Sequence, residues 1–384
     1  MAVEIVKHIE HFFVILSLCI LIASIVAFAS SKKKTKDEGI KIKMWEKSIS
    51  EVIEAAFLGN DKEILKAHWR DMGAKLVNTD ELLAYEEAIV SLKNKFEGPV
   101  VQRYIDESKE EFNYLAYTYK NSHLMDRGAF AFLMADLHPG AKDGNTELAE
   151  VLLSYLDDAD SGCMENVLLA LCAIGYPQAI AQAFDIVVEK NWLYSSQLIS
   201  DALTWTQGNR AALATYLATK AKRWNENIQV TIIRFVTNVS GEHAADFLDW
   251  LMEPDALTET KFALIRYFGR WIYAPAKMIL IRITKEDQPL GFAIASTQVL
   301  KKYPGEDTKE ALISALRSSN WDVRKNAALS LIELGADMDD VVEMNKTGDA
   351  YAAQMLGYYL QEKNTGRVSK IGDDARIDMR GAKQ

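Results

Sequence analysis

Side chains that commonly bind metals or act as nucleophiles are few and scattered in this sequence. The chain has six histidines and three cysteines among 384 residues, and none of them forms an HExxH or CxxC motif. The GxGxxG, GxxxxGK(S/T) and GxSxG patterns, which position phosphates or a catalytic serine, are absent as well. We therefore predict no catalytic residue, no metal site and no cofactor, and we predict that the protein is not an enzyme.

A cluster of three aspartates, Asp157, Asp158 and Asp160, is the one acidic group that suggests a cation. Carboxylate oxygens are the ligands that Ca²⁺ prefers. The cluster falls where a short turn should join two helices, however, and aspartate is also a common turn and N-cap residue. We predict a capped turn at this position rather than a metal site.

Basic side chains recur at a regular interval in the second half of the chain. One series consists of Arg234, Arg266, Gln298 and Ser330, and a second series, four positions later, consists of Asn238, Arg270, Lys302 and Leu334. Residues four apart share one face of a helix. The recurrence indicates that repeated helices carry these side chains.

The regular interval, a period of about 32 residues, belongs to a repeat of two helices. Leu312–Gly335 contains an apolar helix, a polar turn, an Asp-Val-Arg entry and a second helix that ends at glycine. We expect Asp322 to cap this second helix and Gly335 to end it in the left-handed conformation. Leu153–Gly175 matches the same pattern five periods earlier in the chain. Weaker copies between the two give six predicted helix pairs from residue 148 to about residue 335.

This two-helix pattern resembles the HEAT-like repeat of the PBS-lyase type, and the resemblance covers roughly half of the chain. It implies an all-α fold in which HEAT-like helix pairs stack into an α-solenoid, with the second helices lining the concave face. By resemblance, a basic strip on that face would consist of Arg234, Arg266, Arg270 and Lys302, with Gln298 beside them. Such a strip would bind an acidic or phosphorylated protein partner, and an ordinary solvated face is the alternative.

An uncharged apolar run from Phe12 to Ala29 precedes the repeats. As a helix it would be about 27 Å long, close to the thickness of a bilayer core, so we predict one N-terminal transmembrane helix. A cleaved signal peptide is the alternative, because Ala27-Phe28-Ala29 has the small-x-small pattern of a cleavage site.

Lysines follow this run much more densely than they precede it, which predicts a single-pass protein of the cell membrane with its N-terminus outside and its solenoid in the cytoplasm. The lysines expected to contact the anionic membrane surface are Lys32, Lys33, Lys34 and Lys36. The predicted organisation is a short tail (1–11), a transmembrane helix (12–29), a basic juxtamembrane linker (30–43), a helical cap or degenerate repeats (44–147), the HEAT-like solenoid (148–360) and a disordered tail (361–384).

Composition limits the functions that this architecture can serve. The formal net charge of −10 disfavours nucleic-acid binding, which needs a concentrated basic surface. The leading hypothesis is a bacterial membrane-tethered scaffold that binds a protein partner, such as a membrane enzyme of the envelope or of polysaccharide synthesis. The alternatives are an enzyme similar to the bilin lyases of the HEAT family and a sensor of an anionic ligand.

Overall fold

The computed structural model describes residues 36–58, 63–140, 144–285 and 289–364, and the regular elements within these ranges are all helices. The predicted transmembrane segment, Lys32, Lys33, Lys34 and most of the predicted tail lie outside the described residues. Lys36 is described, and it is an exposed residue of the first helix. Among the helices described, none is both long and apolar enough to cross a bilayer.

The chain divides into two compact units. Of the described residues, the first unit comprises those up to Tyr194 together with Trp205–Asn209, and the second comprises Ser195–Thr204 and those from Arg210 onward. The helices of the first unit are α1 (36–52, continued by the π-helix Ile53–Leu58), α2 (Glu63–Lys75), α3 (Thr79–Lys95), α4 (Gly98–Glu107), α5 (Lys109–Lys120), α6 (Leu124–Leu137), α7 (Thr146–Ser154), α8 (Ser161–Ile174) and α9 (Pro177–Glu189).

Helices of the first unit pack in sequential pairs. Helix α5 packs on α7 and α7 on α9, while α6 packs on α8. Before them, α2 packs on α5 and α3 on α6, with the short α4 in the connection. Each pair has an apolar stripe that it cannot bury alone, so stacking on the next pair removes it from water. Large side chains that are fully buried by this stacking include Tyr85, Tyr104, Phe112, Phe130 and Phe184.

The second unit shows the same packing in a longer series. Its helices are α10 (Ser196–Trp205, all but the last residue in this unit), α11 (Arg210–Ala218), α12 (Glu226–Val239), α13 (Ala244–Met252), α14 (Thr258–Arg270), α15 (Ala276–Ile283), α16 (Leu290–Val299), α17 (Glu306–Ala315), α18 (Trp321–Glu333), α19 (Met338–Lys346) and α20 (Ala350–Asn364). Helices α12, α14, α16, α18 and α20 pack side by side in that order. The fold is therefore all-α, with sequential helix-pair packing consistent with a solenoid.

Helices α8 and α18, which are the second helices of the two best-matched repeats, have their N-caps and final glycines at equivalent positions, in the register that the sequence predicts. Asp160 caps α8 by accepting a hydrogen bond from the Cys163 backbone N–H at 2.8 Å. Asn320, at the equivalent position five periods later, caps α18. Both helices stop at a glycine in the left-handed region, with φ of 77° at Gly175 and 96° at Gly335. The same local chemistry therefore starts and stops both copies.

The expectation that Asp322 caps α18 is wrong by two positions. The Asn320 side chain accepts from the backbone N–H groups of Asp322 and Val323, at 2.9 and 3.1 Å. Asn320 has the extended backbone (φ −86°, ψ 132°) of an N-cap. Asp322 lies in the first turn instead, where its carboxylate interacts favourably with the helix dipole.

This difference predicts unequal costs for two alanine substitutions. Asn320→Ala should lower the free energy of unfolding by about 1 kcal/mol, since it removes the cap. Asp322→Ala should cost much less, because it removes only a charge near the positive end of the helix. Urea unfolding followed by circular dichroism measures both, and a larger loss for Asp322→Ala would move the cap back to that residue.

Candidate anion-binding groove

Three helices of the second unit enclose a groove of about 340 Å³. Helices α10 and α14 contribute two side chains each to its lining, and α12, which lies between them in the chain, contributes three. The complete lining is Gln197, Ser200, Arg234, Thr237, Asn238, Ala263 and Arg266. Each helix supplies residues three or four apart, which is the spacing of one helix face.

The opposite faces of the same helices hold the groove in place. Phe235 and Val236 of α12 and Tyr267 and Phe268 of α14 are buried next to the arginines in sequence. Burial of each such side chain stabilises the fold by about 2 kcal/mol, so the helices cannot rotate to hide the polar face without exposing them. Ala263 also lines the groove, and its side chain is a single carbon.

Arg234 is the anchor of the groove. It is half-buried, and its Nη1 donates to Ser196 Oγ at 3.2 Å and to Gln197 Oε1 at 3.4 Å. Burial lowers the pKa of Arg234, and the charge of Arg266 lowers it further, against the opposing effect of Glu259 and Asp201. Arginine nevertheless keeps its proton at neutral pH, because its pKa lies far above 7. Two positive charges therefore face one groove, at an electrostatic cost that a bound anion would relieve.

Ser200 adds a hydroxyl group that has no partner. The residue is fully buried, and its Oγ makes no hydrogen bond. Neighbouring polar groups are already engaged, since Gln197 Nε2 donates to Asp201 at 2.9 Å and the Thr237 hydroxyl donates to the Ile233 carbonyl at 2.6 Å. Buried hydroxyl groups nearly always have a partner, and among the lining residues the Ser200 hydroxyl is the buried one that has no partner within the described part of the chain.

The structure brings two residues of the predicted basic strip together in one groove. Arg234 and Arg266 line one groove, whereas Arg270, Gln298 and Lys302 are exposed and do not line it. The guanidinium of Arg270 lies 5.9 Å from the centre of the Trp271 ring. Lys302 lies in the 3-10 turn Leu300–Lys302 that follows α16.

The series predicted to end at Ser330 does not continue onto α18. Arg234, Arg266 and Gln298 are each at the ninth position after the N-cap of their helix, and Leu329 holds that position in α18. Ser330 is buried, and its hydroxyl donates to the Thr297 carbonyl at 2.6 Å. The reason is that α16 begins at Leu290 and α18 at Trp321, a separation that is one position shorter than the period.

Sequence reasoning missed Gln197 and Ser200. The position one full period before Arg234 is Ala202, so the period alone would place Ala202 beside Arg234. In the structure α10 begins at Ser196 and α12 at Glu226, and this separation is two positions shorter than the period. The spacing of the helices is only approximately regular at this point of the array, so the periodicity could not place the residues of α10 in the groove. An unpaired buried hydroxyl also has no signature in a sequence.

The aspartate cluster forms the capped turn that the sequence predicts. Asp160 caps α8, and Asp158 accepts from Arg127 Nη1 at 2.7 Å. Within the described ranges, no three His, Cys, Asp or Glu side chains come together in a way that could hold a metal ion.

Comparison with known proteins gives no family for this chain. Neither the scan against protein-family models nor the search of curated proteins finds a match.

Proposed function

We propose that the protein is a scaffold that binds a protein partner in the groove between α10, α12 and α14. The observation that carries this proposal is the presence of Arg234 and Arg266 in one groove, although the whole chain has a net charge of −10. Paired guanidinium groups recognise carboxylates and phosphates by bidentate hydrogen bonds. An acidic segment of a partner therefore complements this part of the surface.

The lining of the groove suits binding better than catalysis. It consists of two guanidiniums, two amides, two hydroxyls and one methyl group. These groups can hold and orient an anion, but hydroxyl nucleophiles need a general base within hydrogen-bonding reach. Neither a carboxylate nor an imidazole is among the lining side chains described. A docking site needs no such group.

Membrane tethering and the HEAT-like character of the array belong to the same proposal. Residues 12–29 would anchor the chain in the cell membrane, and Lys32, Lys33, Lys34 and Lys36 would lie at the cytoplasmic headgroups. Tethering raises the effective concentration of the groove near a membrane enzyme, such as one of the bacterial envelope or of polysaccharide synthesis. Weak contacts in the groove would then be sufficient for binding.

The test is capture of the partner by the full-length, membrane-inserted protein after mild crosslinking. Arg266→Glu reverses one charge inside the groove, and its side chain is exposed, so the fold should tolerate it. Arg270→Glu is the matched control, because it makes the same change one turn later on the same helix and outside the groove. We expect a specific partner to be recovered with the wild type and with Arg270→Glu, and its yield to fall about tenfold or more with Arg266→Glu. Equal yields from both variants would contradict docking in the groove.

A further inference from the structure

The unused hydrogen-bond donors of the groove identify the kind of anion that it would take. Both contacts of Arg234 use Nη1, so its Nε and Nη2 remain available. The Arg266 side chain is exposed in the groove lining, and the Ser200 hydroxyl has no partner among the described residues. Three separate donor groups, two of them charged, therefore border one space of about 340 Å³.

We infer that the groove binds a phosphoryl group carried by a phosphorylated side chain of the partner protein, an inference that rests on the proposed docking function. A phosphate monoester carries a charge between about −1.5 and −2 at neutral pH and has three acceptor oxygens. Arg234, Arg266 and Ser200 provide two positive charges and three donor groups. A carboxylate carries a single negative charge, so it would balance only one of the two arginines, whereas a phosphate monoester balances both.

The size and rim of the groove favour a phosphorylated side chain over a free ion. A volume of about 340 Å³ is about ten times the roughly 30 Å³ that one water molecule occupies, so the groove has room for more than a single small ion. Asn238 lies at the exposed edge of the lining, where its amide can pair with the backbone of a peptide. The buried Ser200 and half-buried Arg234 would hold the phosphoryl group at the inner end.

The experiment is titration calorimetry on the full-length chain in a maltoside detergent, which contains no phosphate. The probes are inorganic phosphate, acetate, a phosphoserine peptide with acidic neighbours and the same peptide without the phosphate. We expect phosphate to bind and acetate not to bind, and the phosphoserine peptide to bind about tenfold or more tightly than its unmodified form. Arg266→Glu should abolish binding, and Arg270→Glu should leave it unchanged.

Ser200→Ala separates a ligand contact from a structural role. The substitution removes a buried hydroxyl that has no partner, so the melting temperature of the free protein should stay the same or rise. Affinity for phosphate and for the phosphoserine peptide should nevertheless fall about tenfold, which is the effect of losing a hydrogen bond to a charged group. Unchanged affinity in Ser200→Ala would overturn the inference.

The remaining outcomes distinguish this inference from the proposed function. Equal binding of the phosphorylated and unmodified peptides overturns the phosphoryl assignment, and docking stands if capture of the partner still depends on Arg266. Binding of inorganic phosphate without binding of the phosphoserine peptide assigns the groove to a free phosphorylated metabolite. That result overturns the peptide source, and it overturns docking as well if no captured partner depends on Arg266.

Discussion

Acidification from pH 6.5 to about 4 is expected to remove about 3 kcal/mol of stability from the first unit through a single buried histidine. His68 is buried, with Nδ1 3.2 Å from Ser48 Oγ and Nε2 2.8 Å from Tyr104 Oη. Burial lowers the pKa of His68 from 6.5 to about 4, against a smaller opposing effect of Asp71. The folded protein therefore holds this imidazole neutral over a range in which the unfolded chain protonates it.

The direction of the effect follows from proton binding. Between about pH 6.5 and pH 4 the unfolded chain binds the proton of His68 and the folded chain does not, so the free energy of unfolding falls as the pH falls. A pKa difference of about 2.5 corresponds to about 3 kcal/mol. The two ring nitrogens of His68 face two hydroxyl groups, and the hydroxyl of Tyr104 in turn accepts a hydrogen bond from Tyr85. Burial raises the pKa of Tyr104, so that hydroxyl keeps its proton.

Urea unfolding at several pH values between 7 and 4 measures this effect. His68→Gln removes the titrating group, so the loss of stability on acidification should be smaller than in the wild type by about 3 kcal/mol. The comparison also cancels carboxylates such as Glu86 and Glu111, whose pKa values burial raises. His123→Gln is the control, because His123 is exposed, and it should leave the wild-type pH dependence intact. Identical acid profiles for His68→Gln and the wild type would contradict this assignment.

Features set by local chemistry are predictable from the sequence. The glycines that end α8 and α18 are predicted correctly, because a left-handed residue after a helix is required by the adjacent backbone alone. The pairing of Arg234 with Arg266 also follows from their separation by one period, since equivalent faces of adjacent repeats lie side by side. The first inference needs only the rule for how a helix ends, and the second needs only the length of the repeat.

Features that depend on the exact spacing between helices are not predictable. The first residues of α16 and α18 are one position closer together than the period, and those of α10 and α12 are two positions closer. A shift of even one position changes the direction of a side chain around the helix axis by about 100°. Ser330 is consequently buried, and the residues of α10 that line the groove are Gln197 and Ser200. The buried contact between His68 and Tyr104 joins two helices of the first unit through side chains, and no periodic pattern marks it.

The two equivalent glycines should respond very differently to the same substitution. Gly175→Ala is expected to lower the free energy of unfolding by about 3 kcal/mol, and Gly335→Ala by about 1 kcal/mol. Both residues have positive φ, where a side chain costs about 1 kcal/mol. A Cβ on Gly175 would also lie 2.2 Å from Thr206 Oγ1, whereas nothing lies within 4 Å of a Cβ on Gly335. Thr206 cannot easily move, because its hydroxyl donates to the Ala173 carbonyl at 3.1 Å, and overpacking of this kind costs about 1–3 kcal/mol.

Urea unfolding of the two alanine variants tests whether packing or backbone conformation dominates at the ends of the repeats. Equal losses would show that the left-handed conformation accounts for the whole cost and that Thr206 yields without penalty. The double variant Gly175→Ala/Thr206→Ser keeps the hydroxyl and therefore the clash at Oγ1, so it should recover little stability. Gly175→Ala/Thr206→Gly removes the clashing atoms, and relative to Thr206→Gly alone the Gly175→Ala change should then cost about 1 kcal/mol, as it does at Gly335. That convergence would show that the two equivalent positions differ only in the side chain that the neighbouring part of the array places against them.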